Sequence, residues 1–159
     1  MPKRLPLATP EAAYDEAVRM LTRKARSIAE VAAGLREREA DDRAIAGAID
    51  RLVEEHILDD EKFATDEATA LVDQKGFAPA AAVRTLVERG LAEALAKSAV
   101  DAAKDGRGEL ELCAQALRRH TRGARLDQAQ AGKEARALAR LGYDEEVVAR
   151  VIEKAEAAE

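Results

Sequence analysis

Along most of the chain, apolar and small residues return every three or four positions with charged residues between them, the pattern of amphipathic helices. Ala40, Ala44 and Ala48 form one such stripe, Leu91, Leu95 and Ala99 a second, and Tyr143, Val147 and Val151 a third. Punctuation cuts the pattern into short pieces. Thr9 before Pro10 is an N-cap followed by proline at the first helical position, where the missing N–H is no loss. Ser27 with Glu30 makes a capping box, and Asp127 with Gln130 a weaker one. Gly76, Gly90 and Gly142 stand where a left-handed residue would close a helix. Segments of about three to four turns result, with helix starts expected near Pro10, Ser27, Asp41, Asp59, Pro79, Leu91, Gly108, Asp127 and Asp144.

The segments repeat. Windows that begin at Leu35, Leu86 and Leu138, 51 and 52 residues apart, align without a gap. Ala40, Leu91 and Tyr143 coincide, as do Ala44, Leu95 and Val147, then Ala48, Ala99 and Val151, then Ile49, Val100 and Ile152, each set followed by the acids Asp50, Asp101 and Glu153. Amphipathic helices rich in alanine can align by chance, but here the helix-ending Gly90 and Gly142 also fall at equal positions. The expected architecture is all-α: three tandem three-helix repeats forming an elongated, curved stack. The boundaries are a tail at 1–10 and repeats at 11–58, 59–105 and 106–159.

Composition agrees with this architecture. Aromatic residues make up 3% of 159 residues, Trp is absent, and 47% of the chain is hydrophobic, enough for a real core without the rings that sheets favour. A single cysteine, Cys113, rules out an internal disulfide. No signal peptide and no bilayer-length apolar run is visible, so the chain reads as cytoplasmic, with no membrane partner. The formal net charge of −5 argues against a general nucleic-acid binder. Charge is uneven, however. The tail carries Lys3 and Arg4, while Arg118, Arg119, Arg122 and Arg125 occupy a stretch with no acid between Leu112 and Leu126.

Catalytic and metal chemistry find no footing. The acids of His56–Ala64, HILDDEKFA, read as a helix start: Asp59 caps, Asp60 and Glu61 face the positive end of the dipole, and Leu58 with Phe63 forms a hydrophobic staple. His56 and His120 are far apart and lack a second His or Cys at ligand spacing; His56 falls at a helix end and His120 among surface arginines. Cys113 shares an apolar stripe with Leu110, Ala114 and Leu117 and reads as core. The glycines of Gly106–Gly108 lack the strand and lysine of a phosphate loop and read as a joint between repeats. No enzyme activity and no cofactor are expected. Two sets of arginines are candidates for binding a partner: Arg118, Arg119, Arg122 and Arg125, and Arg19, Arg23 and Arg26, which a continuous first helix would put on one face.

Three stretches carry a resemblance. EEHILDDEKFATDE, KGFAPAAAVRTLVERGLAEALAKSAV (Lys75 to Val100) and ARLGYDEEVVARVI (Ala139 to Ile152) resemble, in order and spacing, the signatures of the RecX family of recombination regulators. Together they extend the resemblance over essentially the whole chain from Ala12 onward. It implies three tandem three-helix units and a monomer that binds the RecA recombinase or its filaments on single-stranded DNA, inhibiting filament growth, strand exchange and ATP hydrolysis, with at most weak direct DNA contact. The chain departs from the family in two respects. Ala78, Ala80, Ala81 and Ala82 stand around the turn where the family commonly has glycine and basic residues, and Lys62 is the only base between Asp59 and Gln74. A DNA-binding helical module independent of RecA and a scaffold for another protein are the alternative readings.

Overall fold

The computed structural model describes residues 7–158, so Lys3 and Arg4 of the expected tail lie outside the described residues. Among these residues all regular structure is helical. The elements are α1 (Pro10–Arg23), α2 (Ile28–Glu37), α3 (Asp42–Glu54), α4 (Asp60–Thr69), a π-helical turn at Ala70–Gln74, α5 (Pro79–Glu88), α6 (Glu93–Lys104), α7 (Glu109–Thr121), α8 (Gln128–Arg140) and α9 (Glu145–Ala157). Every expected start falls within two residues of an observed one.

The starts are set by side chains that satisfy backbone N–H groups with no helical partner. Thr9 Oγ1 accepts from Ala12 N–H at 3.1 Å, and Asp41 accepts from Ala44 N–H at 2.8 Å. Both expected capping boxes are closed in both directions, at Ser27 with Glu30 and at Asp127 with Gln130. Asp59 Oδ1 accepts from Glu61 and Lys62 N–H at 3.0 and 3.1 Å, as a cap should, and the staple residues Leu58 and Phe63 are both buried. Its neighbour Asp60 does something sequence reasoning missed. Its Oδ1 accepts from Ile28 N–H at 2.9 Å and so serves the start of a different helix, α2.

The chain divides into two compact units. The first takes the described chain up to Ala64 together with Glu88–Ala92. Its core is built from Ala13, Ala17 and Met20 on α1, Val31 and Leu35 on α2, and Ala44, Ile45, Ala48 and Leu52 on α3. Alanine at so many of these positions lets the helices approach closely, while Leu35 and Leu52, both fully buried, are the largest side chains wholly enclosed in this unit. Arg89 is bound into this unit. It pairs with Glu30 at 3.0 Å, lies over the Phe63 ring at 4.6 Å, and its carbonyl accepts from the buried Ser27 hydroxyl.

The second unit takes Thr65–Val87 and the chain from Glu93 onward. Leu71, Leu86, Val100, Leu112, Cys113, Leu138 and Ile152 are among its buried residues. The phenol of Tyr143 is buried and donates to the Gly76 carbonyl at 2.9 Å, holding the turn after the π-helical segment. Arg107, in the Gly106–Gly108 turn between α6 and α7, donates to the Lys104 and Ala103 carbonyls at 2.7 and 2.8 Å and pairs with Asp73 at 2.7 Å. It thereby satisfies the last carbonyls of α6.

The repeat also appears in the backbone. Glu39, Gly90 and Gly142, 51 and 52 residues apart, all have positive φ (63°, 90° and 97°). The residues after them, Ala40, Leu91 and Tyr143, are all buried. The fold is an all-α helical-repeat architecture.

Candidate partner-binding site

The candidate site lies in the second unit, at the C-terminal end of α7, in the loop to α8 and on α9. α7 ends at Thr121, and two left-handed residues follow, Arg122 (φ 53°) and Gly123 (φ 76°), both of whose N–H groups donate to the Arg118 carbonyl. This reversal returns the chain through Ala124 and Arg125 to the buried Leu126. Arg118 and Arg119 sit in the last turn of α7, where cations oppose the negative end of the helix dipole.

Between these segments is a groove of about 1060 Å³. Its floor is apolar, with Leu117, Leu126 and Val151 buried beneath it and Leu110 44% exposed at its edge. Its rim is basic: Arg118 from α7, Arg125 from the loop, and Arg150 and Lys154 from α9, against one lining acid, Glu111. Arg150 also reaches Glu146 at 3.6 Å across an exposed helical turn, a contact that water screens. Arg118 and Arg125 have no ion-pair partner among the described residues.

Of the arginines singled out from sequence, the structure brings Arg118 and Arg125 together on one rim, while Arg119 and Arg122 are exposed outside the lining. Sequence reasoning missed Arg150 and Lys154, because their place opposite α7 depends on how α9 packs. His120 is exposed and approaches Glu134 at 3.2 Å, and among the described residues the exposed His56 has no side-chain partner.

The second arginine set requires a correction. Arg19, Arg23 and Arg26 do not share a helical face, because α1 ends at Arg23 and Lys24 is already extended. The capping box at Ser27 starts α2, so the chain must leave α1 before Arg26. Arg26 is half-buried in the connection, with its Nε enclosed and without a hydrogen bond, and Arg19 is held by Glu16 through two nitrogens at 3.0 and 2.8 Å.

Other chemistry is thin. Among the described residues no group of His, Cys, Asp and Glu is placed to hold a metal, and no helix is long and apolar enough to cross a membrane. Burial pushes the Cys113 thiol up to about 11, with the Glu109 charge adding to it, so the thiolate is scarce near neutral pH.

Comparison with known proteins finds similarity to a protein family and to solved structures. The family described as RecX, first three-helix domain, matches residues 13–52, which span most of α1, α2 and most of α3. The crystal structure of RecX from Lactobacillus salivarius matches the fold with a TM-score of 0.69 and 17% sequence identity, covering 94% of this chain and 97% of that one. No curated protein sequence matches the chain.

Proposed function

We propose that this chain, with the RecX first three-helix domain at residues 13–52 and the fold of a RecX crystal structure, is a RecX-type regulator that acts on the RecA recombinase by binding RecA and its filaments on single-stranded DNA. Binding slows filament growth and with it strand exchange and ATP hydrolysis. The observation that carries this reading is the RecX first three-helix domain at 13–52, set within a fold that matches RecX over 94% of the chain.

The groove of the second unit supports the same reading. A regulator of this kind needs a surface that adheres to another protein, not a constellation that turns over a substrate. Guanidinium forks at Arg118 and Arg125 suit carboxylates bidentately, and the apolar floor favours a protein surface over a bare phosphate backbone. With 3% aromatic residues the chain has little with which to stack bases, so filament contact runs through RecA. The test is extension of RecA filaments on fluorescent single-stranded DNA, followed with and without this protein. Slower extension at protein concentrations that leave naked DNA unbound is the expected result. Unchanged extension overturns the reading.

A further inference from the structure

We propose that the groove between α7, the α7–α8 loop and α9 receives an acidic amphipathic helix of a partner protein. This deepens the regulatory reading and rests on it only for which protein supplies the helix. Two features coincide at this one place. Leu110, 44% exposed, continues an apolar floor that includes Leu117 and Val151, so burying it rewards an apolar side chain. Around that floor stand Arg118, Arg125, Arg150 and Lys154, facing a single lining acid on a protein whose net charge is −5.

A helix with leucines at i, i+3, i+4 and i+7 and glutamates on its flanks matches both features at once, apolar stripe to floor and carboxylates to rim. A nucleic-acid strand matches only the rim. Its phosphates gain nothing from Leu110 and Val151, and the groove lining offers no ring on which a base could stack. A basic or neutral helix would meet the floor but leave the rim charges unpaired or repelled. The groove therefore selects for charge as well as for hydrophobicity.

The probe is a synthetic, fluorescent helical peptide of about four turns with that leucine spacing and glutamate flanks, measured by anisotropy against the full chain. Its control carries lysine in place of glutamate. Leu110→Glu and the pair Arg118→Glu with Lys154→Glu alter exposed residues, and circular dichroism confirms that each variant keeps its helicity. The acidic peptide binds the native chain, each variant weakens it roughly tenfold, and the lysine peptide binds far more weakly. The inference is overturned if the acidic peptide fails to bind, if both peptides bind alike, or if a single-stranded oligonucleotide occupies the groove in its place. Loss of peptide binding with RecA inhibition intact removes the groove and leaves the regulator. Peptide binding with no effect on RecA does the reverse.

Discussion

Gly90 lies against Ala29 so closely that a Cβ placed on the glycine would collide with the alanine methyl. One repeat further on, Gly142 meets Ala81 in the same way, its added Cβ falling 2.6 Å from that of Ala81. Both pairs are separated by the same distance along the chain, because 29 and 81 differ by 52, as do 90 and 142. The helix end of one repeat thus seats on the helix start before it, and the carbonyls of Arg89 and Leu141 accept there from Ser27 Oγ and Ala78 N–H.

Gly90→Ala combines a left-handed backbone with a collision, so it destabilises the protein by about 3 kcal/mol. Gly142→Ala has a similar effect, and urea denaturation measures both. Glu39 holds the equivalent left-handed position in the first repeat with a side chain attached, and Glu39→Gly stabilises by about 0.5–1 kcal/mol. A loss of stability in that variant would contradict the equivalence.

Helix starts were legible in the sequence because their causes are local: Thr9, Ser27, Asp41 and Asp127 act on backbone no more than three residues away. The repeat was legible because its apolar positions and Gly90 and Gly142 keep register. Glu39 was not, since its left-handed backbone is imposed by the repeat and not by its own preference. Nor were contacts that cross the chain, such as Asp60 with Ile28 or Arg107 with Asp73, which depend on how helices pack. The candidate site was half legible. The acid-free stretch disclosed Arg118 and Arg125, but only packing brings Arg150 and Lys154 to the same rim.

The paired aspartates divide their work, and substitution separates them. Asp59→Ala removes the cap of α4 and destabilises by about 1 kcal/mol, with no change in the affinity for any divalent metal. Asp60→Ala instead leaves Ile28 N–H without its acceptor at the start of α2, a loss of about 1 kcal/mol. Thermal melts measure both losses. Hydrogen exchange distinguishes them, since the first variant loosens α4 and the second loosens α2.

Glu30 makes stability depend on acid. Burial pushes its carboxyl up, but the Ser27 N–H and the Arg89 guanidinium together outweigh burial and hold it below its ordinary value of 4.5. The folded state therefore binds this proton less readily than the unfolded chain does. The resulting stability is fully present above pH 4.5 and is lost as pH falls through the folded value below it. The stability difference between the native chain and Glu30→Gln shrinks on acidification through that window. A difference that stays constant would show that Glu30 contributes no such term.

Reversing Arg118, Arg119, Arg122 and Arg125 to glutamate weakens binding to RecA filaments by roughly tenfold or more with helicity unchanged. Restoring arginine at 118 and 125 alone recovers most of the affinity, because those two line the groove. Recovery through Arg119 and Arg122 instead would place the contact outside it. Titrating salt separates this from direct DNA binding, in which several phosphate contacts make the logarithm of affinity fall steeply with the logarithm of salt concentration.

The most direct test of the account is the DNA-dependent ATPase rate of RecA from the same organism as this protein is titrated in, with anisotropy of labelled single-stranded DNA followed in parallel without RecA. ATP hydrolysis is expected to fall at concentrations where the protein alone leaves the DNA unbound. An unchanged rate, or inhibition only where the protein already coats the DNA, would contradict it.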